Sequence, residues 1–314
     1  MLVSKTLRTK SNPMQSAIQI GRRPPSTVPL VALLSCLLSL QLGCIPPIDE
    51  AVDAGAASSA DAGVDDLRFD EPRRLLHEAF SGSNCGPCLE ADAKLQAVLD
   101  QRPDQYTLIH YQVGSDPYMS HESVARRFFY LPEGAQTYGI PYLHVDGVNG
   151  MHPNEVNNDQ GYLVENFDQF LQQPCHLRLE SRHTVSGQTV DIQVGLEAGG
   201  DYPSESLALH VAISEGVTVN NVGTNGQTEF HHVMKKMLPN ADGRALPPLV
   251  TGDRMGRTYS YTFQGDYNPE TSRQNMVNHA TEHTVEDFDD LEVLVWVQDM
   301  ETKQVHQSAW SVAE

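Results

Sequence analysis

The spacing of apolar side chains changes character once along the chain, near residue 174. Before that point Leu75-Leu76-His77-Glu78-Ala79-Phe80 forms a short apolar run that reads as a strand. Cys88, Ala91, Leu95, Val98 and Leu99 then share one face of a helix, with Glu90, Asp92, Lys94 and Gln96 outside. Arg102-Pro103 ends that helix, because the residue before a proline is pushed out of helical geometry. A strand over 106–113, a helical stretch over 122–130, a strand opened by Pro141 and turned by Asp146-Gly147, and a closing helix within 154–173 follow. After Pro174 the period becomes two: Leu177/Leu179, Val190/Ile192/Val194/Leu196, Leu207/Leu209/Val211/Ile213, Tyr259/Tyr261/Phe263 and Leu291/Val293/Val295/Val297 alternate with mostly polar neighbours. With 229–238 and 304–312 these predict roughly seven short strands, the pattern of an immunoglobulin-like β-sandwich. No unit of about 20–50 residues repeats, which argues against a solenoid or propeller.

The N-terminal segment follows neither pattern. Lys5, Arg8, Lys10, Arg22 and Arg23 precede the apolar run 30–42, which at about 13 residues is too short to span a bilayer but suits a signal-peptide core. Gly43-Cys44 at its end is similar to a bacterial lipoprotein cleavage site, with lipid expected on Cys44; Cys36 is the alternative, and an unlipidated secretory signal is the other reading. Ile45, rather than Asp, follows that cysteine, and the resemblance therefore implies the outer membrane. Residues 44–69, rich in Ala, Asp, Gly and Ser, cannot bury enough apolar surface to offset their ordering entropy and read as a disordered acidic tether. The expected organisation is a signal peptide over 1–43, the tether over 44–69, and folded domains over 70–173 and 174–314. The leader carries no acid, so the rest of the chain is more acidic than the overall net charge of −20. Such a surface repels phosphate backbones and excludes nucleic acid as a partner.

The strongest chemistry sits at Asn84-Cys85-Gly86-Pro87-Cys88. Two thiols three residues apart at a helix start fall on one face, within disulfide reach. Unpaired backbone N–H groups there favour a thiolate, so Cys85 is expected to be the exposed nucleophile and Cys88 the buried resolving thiol. Pro87 is tolerated because its missing N–H would have no partner so early in a helix. An inert disulfide is the first alternative. A metal site is the second, but it would need ligands from His110, His121 or His144.

Cys-Gly-Pro-Cys, together with Gly139-Ile140-Pro141, resembles the thioredoxin family over roughly residues 73–173. The resemblance implies an α/β thioredoxin-like domain before the sandwich, and a cis Pro141 that helps present a partner's backbone to Cys85. Asn84 stands where that family has Trp, and Ala79 where it has a buried acid. Glu78 beside it should face the other way, because side chains alternate along a strand. The resemblance therefore names no proton acceptor for Cys88. The leader, the CxxC and the stretches Ser214-Glu-Gly-Val217, Phe230-His-His-Val-Met234 and 297–305 together look like the twenty-eight-kilodalton outer-membrane protein family.

Other polar groups read more plainly. Cys175 is an odd thiol expected to be buried. His231-His232 on a strand would point apart, and His279 and His283 are expected in a loop rather than on a metal-binding helix. Asn157-Asn158-Asp159 lacks the ligand pattern of a calcium loop, and neither a catalytic serine order nor a phosphate-binding glycine loop stands out. The expected function is an exported, membrane-tethered thiol–disulfide oxidoreductase acting on protein disulfides or dithiols through Cys85, Cys88 and Pro141, without cofactor or metal. The alternative is a non-catalytic binding or structural lipoprotein.

Overall fold

In the computed structural model, residues 69–314 are described apart from 138, 156–159 and 271–275. The leader, Cys36, Cys44, most of the tether and Asn157-Asn158-Asp159 lie outside the described residues. Among the described residues no helix is long and apolar enough to cross a membrane.

The chain runs β1 (Leu75–Ser81), α1 (Cys88–Leu99), β2 (Tyr106–Gln112), α2 (His121–Phe129), β3 (Tyr142–Val145), β4 (Asn149–Met151) and α3 (Val164–Leu171). It continues through β5 (Leu177–Ser186), β6 (Thr189–Ala198), β7 (Leu207–Thr218), β8 (Phe230–Leu238), β9 (Arg244–Ala245) and β10 (Arg254–Thr262). It ends with β11 (Asp266–Tyr267), β12 (Glu282–His283), β13 (Leu291–Asp299), β14 (Val305–Trp310) and β15 (Val312–Ala313). One nine-stranded sheet has the order β14-β13-β7-β8-β2-β1-β3-β4, with β9 pairing β7; a four-stranded sheet has the order β10-β6-β5-β15; β11 and β12 pair with each other.

This arrangement corrects the expected fold class. The expectation was an α/β thioredoxin-like domain followed by an all-β immunoglobulin-like sandwich, but among the described residues strands dominate and the three α-helices have only 12, 9 and 8 residues. Strands from both sides of residue 174 share one sheet, where β2 and β8 meet in parallel at His110 and Val233. The described residues fall within a single compact unit. A β-rich fold is the right description.

Burial on both faces of the large sheet explains the difference. Leu207, Leu209, Val211 and Ile213 of β7 and Val293, Val295 and Val297 of β13 pack against Leu177, Leu179, Val190, Ile192, Val194 and Leu196 of the four-stranded sheet. Each such buried Val or Leu contributes about 2 kcal/mol. The intervening residues do not meet water. Ala212, Leu294 and Trp296 join Leu76, Phe80, Ile109 and Tyr111 of β1 and β2 in a second core on the opposite face. A third core sits under α1 and α3, where Leu75, Ala79, Leu108 and Leu143 meet Leu95, Val98, Leu99 and Phe167.

Candidate functional site

The Cys85–Cys88 pair lies just beyond the C-terminal end of β1. Ser81 closes the strand, accepting from Val113 N–H through its carbonyl, and the chain leaves past Gly82. A Cβ at Gly82 would run into the Val113 carbonyl, so only glycine allows this exit. Cys85 N–H then donates to Gly82 O at 2.9 Å and Cys88 N–H to Cys85 O at 3.2 Å. The helix begins at Cys88 with Pro87 as its N-cap, so α1 starts at the second thiol rather than at the first. The linking turn is completed before helical hydrogen bonding takes over.

Cys85 and Cys88 are joined by a disulfide with their Cα atoms 5.4 Å apart. Cys88 has no exposed surface, Cys85 is half-buried, and Gly86 and Pro87 between them are exposed. Only one sulfur is open to attack from outside. Pro141 is buried, its peptide bond with Ile140 is cis, and the Ile140 carbonyl lies 3.6 Å from Cys85 Sγ. The three expected site residues therefore converge in space.

Two supports hold Ser83 and Asn84 just before the thiol. From the β2–α2 connection, the fully buried Asp116 accepts from Ser83 N–H at 2.8 Å and from Tyr118 N–H at 2.8 Å. Burial nonetheless pushes the Asp116 carboxyl above its ordinary value, against those hydrogen bonds. From the β7–β8 loop, Asn225 N–H donates to Ser83 O at 3.0 Å, and Thr224 N–H and Oγ1 reach Asn84 Oδ1 at 3.3 and 3.4 Å.

Beneath the disulfide, on the sheet face that α1 covers, lies a small polar layer. Asp92 sits one helical turn beyond Cys88, a spacing that puts both on one side of the helix. Its Oδ2 accepts from Ser81 Oγ at 3.0 Å and Gln227 Nε2 at 3.3 Å, and its Oδ1 is 3.6 Å from His110 Nε2. Its side chain is only 15% exposed, which corrects its expected place on the outer side of the helix. Ser81, His110 and Gln227 draw it inward. The i+4 spacing from Cys88 was the signal for it; the β7–β8 loop left none.

Glu78 does face the other way. It is fully buried against Arg126, with Nε at 3.0 Å and Nη2 at 2.7 Å, and also bonds the hydroxyls of Tyr111 and Tyr130. Burial works against the Arg126 charge, but the Glu78 carboxylate outweighs it and holds the guanidinium pKa above its ordinary value. This network is structural, on the far side of the sheet from the thiols.

No family model matches the chain, and no curated protein matches it. Among solved structures, HBP35 of Porphyromonas gingivalis is similar at a TM-score of 0.56 and 12% identity, over 77% of this chain and 76% of that one. Protein AGR_C_4864 from Agrobacterium tumefaciens gives a TM-score of 0.48 at 14% identity, over 78% of this chain and 96% of that one. At such identities the likeness concerns fold alone.

The remaining candidates are not brought to the thiols as a cluster. His144 is stacked on Tyr130 with ring centroids 4.0 Å apart, and burial lowers its pKa to about 3. His232 bonds Glu292 at 2.7 Å, His279 lies 3.3 Å from Glu122, and His283 meets Gln188 at 3.0 Å, so the paired histidines of the sequence part company. Among the described residues, no group of three or more His, Cys, Asp or Glu could hold a metal ion. Cys175 is buried, its thiol pKa raised by desolvation, with Sγ 3.5 Å from Leu177 O.

Proposed function

We propose that the chain is an exported thiol–disulfide oxidoreductase that exchanges disulfides with partner proteins. The observation that carries this reading is the unequal exposure of the two bonded sulfurs: Cys85 is reachable and Cys88 is sealed behind it. In the reduced protein the Cys85 thiolate attacks one sulfur of a partner disulfide. A Cys85–partner bond forms, the partner's S–S bond breaks, and the other partner sulfur leaves as a thiolate and takes up a proton. Cys88, having lost its own proton, then attacks Cys85 Sγ, restoring the internal disulfide and releasing the second partner thiol. Two electrons pass from the pair to the partner; run backwards, the same steps oxidise a partner dithiol.

The test uses the full chain, reduced with dithiothreitol and mixed with oxidised insulin. Turnover by the native protein, and a mixed disulfide accumulating with Cys88→Ser, are expected. Absence of both while Cys85 alkylates freely overturns the proposal. Export and the lipid anchor rest on the run 30–42 and Cys44 as read in the sequence, and placement at the outer membrane rests on Ile45 after that cysteine by resemblance. Cys44→Ala is expected to release the protein from the membrane fraction; retention there would sink the lipid anchor.

A further inference from the structure

The surroundings of Cys85 are unusual in an acidic chain. Three segments converge on it: 79–89 carries the thiols, 139–143 carries Ile140 and Pro141, and 216–228 is the β7–β8 loop with its flank. None contains an Asp, Glu, Lys, Arg or His, although the chain holds 41 acidic residues and a net charge of −20. Near Cys85 the loop is held close to the thiol segment. A Cβ on Gly223 would come within 2.5 Å of Ser83 O and 2.7 Å of Asn84 Oδ1, so glycine is what lets the loop approach. Val222 beside it is left 49% exposed, and Leu89, directly after Cys88, is 43% exposed.

We infer, on the basis of the redox reading above, that the β7–β8 loop is the selectivity wall of the thiol site, taking an uncharged, extended segment of the partner polypeptide across Val222 and Leu89. Exposed carboxylates in these segments would have to be stripped of water as a partner docked; the two carboxylates that support the site, Asp92 and Asp116, are already held below the surface by hydrogen bonds, so the collar a partner meets removes that cost. Apolar side chains open to solvent at its edge supply the favourable term. A small disulfide reaches Cys85 without spanning the wall, whereas a polypeptide must lie against it.

The experiment compares the reduced full chain with Val222→Asp, using oxidised insulin and a small aromatic disulfide as alternative substrates. Val250→Asp, exposed in the turn before β10, serves as the surface control. The ratio of kcat/KM for insulin to that for the small disulfide is expected to fall about tenfold in Val222→Asp, mostly through KM, and to hold in Val250→Asp. Gly223→Ala, which pushes the loop off Ser83, is expected to lower the same ratio. A ratio unmoved by both loop variants overturns the wall and leaves the redox reading standing. Native protein inert toward both substrates overturns the redox reading and the wall with it.

Discussion

At the scale of single residues, two buried titratable groups give separate predictions. Cys88 is sealed from solvent, so the proton it sheds before attacking Cys85 must pass to a neighbour, and Asp92 is the carboxylate one turn along the same helix face. Asp92→Asn is expected to slow release of the mixed disulfide on the order of a hundredfold while leaving Cys85 alkylation unchanged. Acid-quenched time courses on non-reducing gels would show it, and an unaltered release rate would remove Asp92 from the mechanism. His77 is fully buried; its Nδ1 faces the carbonyls of Leu75 and Thr107 at 3.1 and 3.3 Å, so the ring is neutral with Nδ1 protonated and Nε2 accepts from the Tyr162 hydroxyl at 2.8 Å. Desolvation lowers its pKa from 6.5 to about 4. Between those values the unfolded chain binds a proton that the folded chain refuses, so stability falls as pH drops through the window. Unfolding free energies from urea melts of native protein and His77→Gln at pH 7 and 4.5 should differ in pH slope by about 1 kcal/mol per unit, with the variant flatter. Parallel slopes would mean that His77 does not titrate across the window.

At the scale of elements, the site depends on how β1 hands over to α1. Gly82 passes the Val113 carbonyl where β2 ends, and Cys85 N–H returns to Gly82 O, so the turn is tied to the strand it leaves. Gly82→Ala forces backbone against backbone, a contact that no rotamer change relieves. A loss of roughly 1–3 kcal/mol in unfolding free energy is expected, together with a changed alkylation rate at Cys85. A variant of native stability and native thiol reactivity would show that the strand end shifts freely. The sequence made this element partly legible. Spacing and the intervening Gly-Pro located the thiols, and Ala91, Leu95, Val98 and Leu99 marked the buried stripe of α1. The i+4 spacing from Cys88 hinted that Asp92 turns inward, but the partners that hold it there were hidden: His110 lies on a neighbouring strand, and the hydrogen bond from Gln227 spans 135 residues. Local period carries no information about partners that far away.

At the scale of the whole molecule, the alternation in β7 and β13 was read correctly as strand but incompletely as burial. Large residues at 207, 209, 211 and 213 imply one packed face; Ala208, His210, Ala212 and Ser214 between them look like a solvent face and are in fact buried. Small side chains on a strand report close approach as readily as exposure, and only the partner element tells which. Here that layer includes Trp296, stacked on His210 with centroids 4.8 Å apart, together with Phe80 and Tyr111 of the first strands. The dependence runs in the other direction too. Glu78 and Arg126 are completed by Gln298 of β13, which accepts from Arg126 Nη2 at 3.0 Å, and Arg73 reaches the Val305 carbonyl at 3.0 Å. A fragment ending at residue 173 would keep the thiols, α1 and β1 to β4. It would lose the strand beside β2, the apolar cover over Leu76 and Phe80, and Gln298, the neutral hydrogen-bond partner of the buried Glu78–Arg126 pair. Exposing such an edge and uncovering such a core each weigh heavily against folding. The 69–173 fragment is therefore expected to lack a cooperative thermal transition and dispersed amide resonances, while 69–314 shows both. A fragment that melts cooperatively would show that the shared sheet is an accessory to the thiol site rather than its foundation.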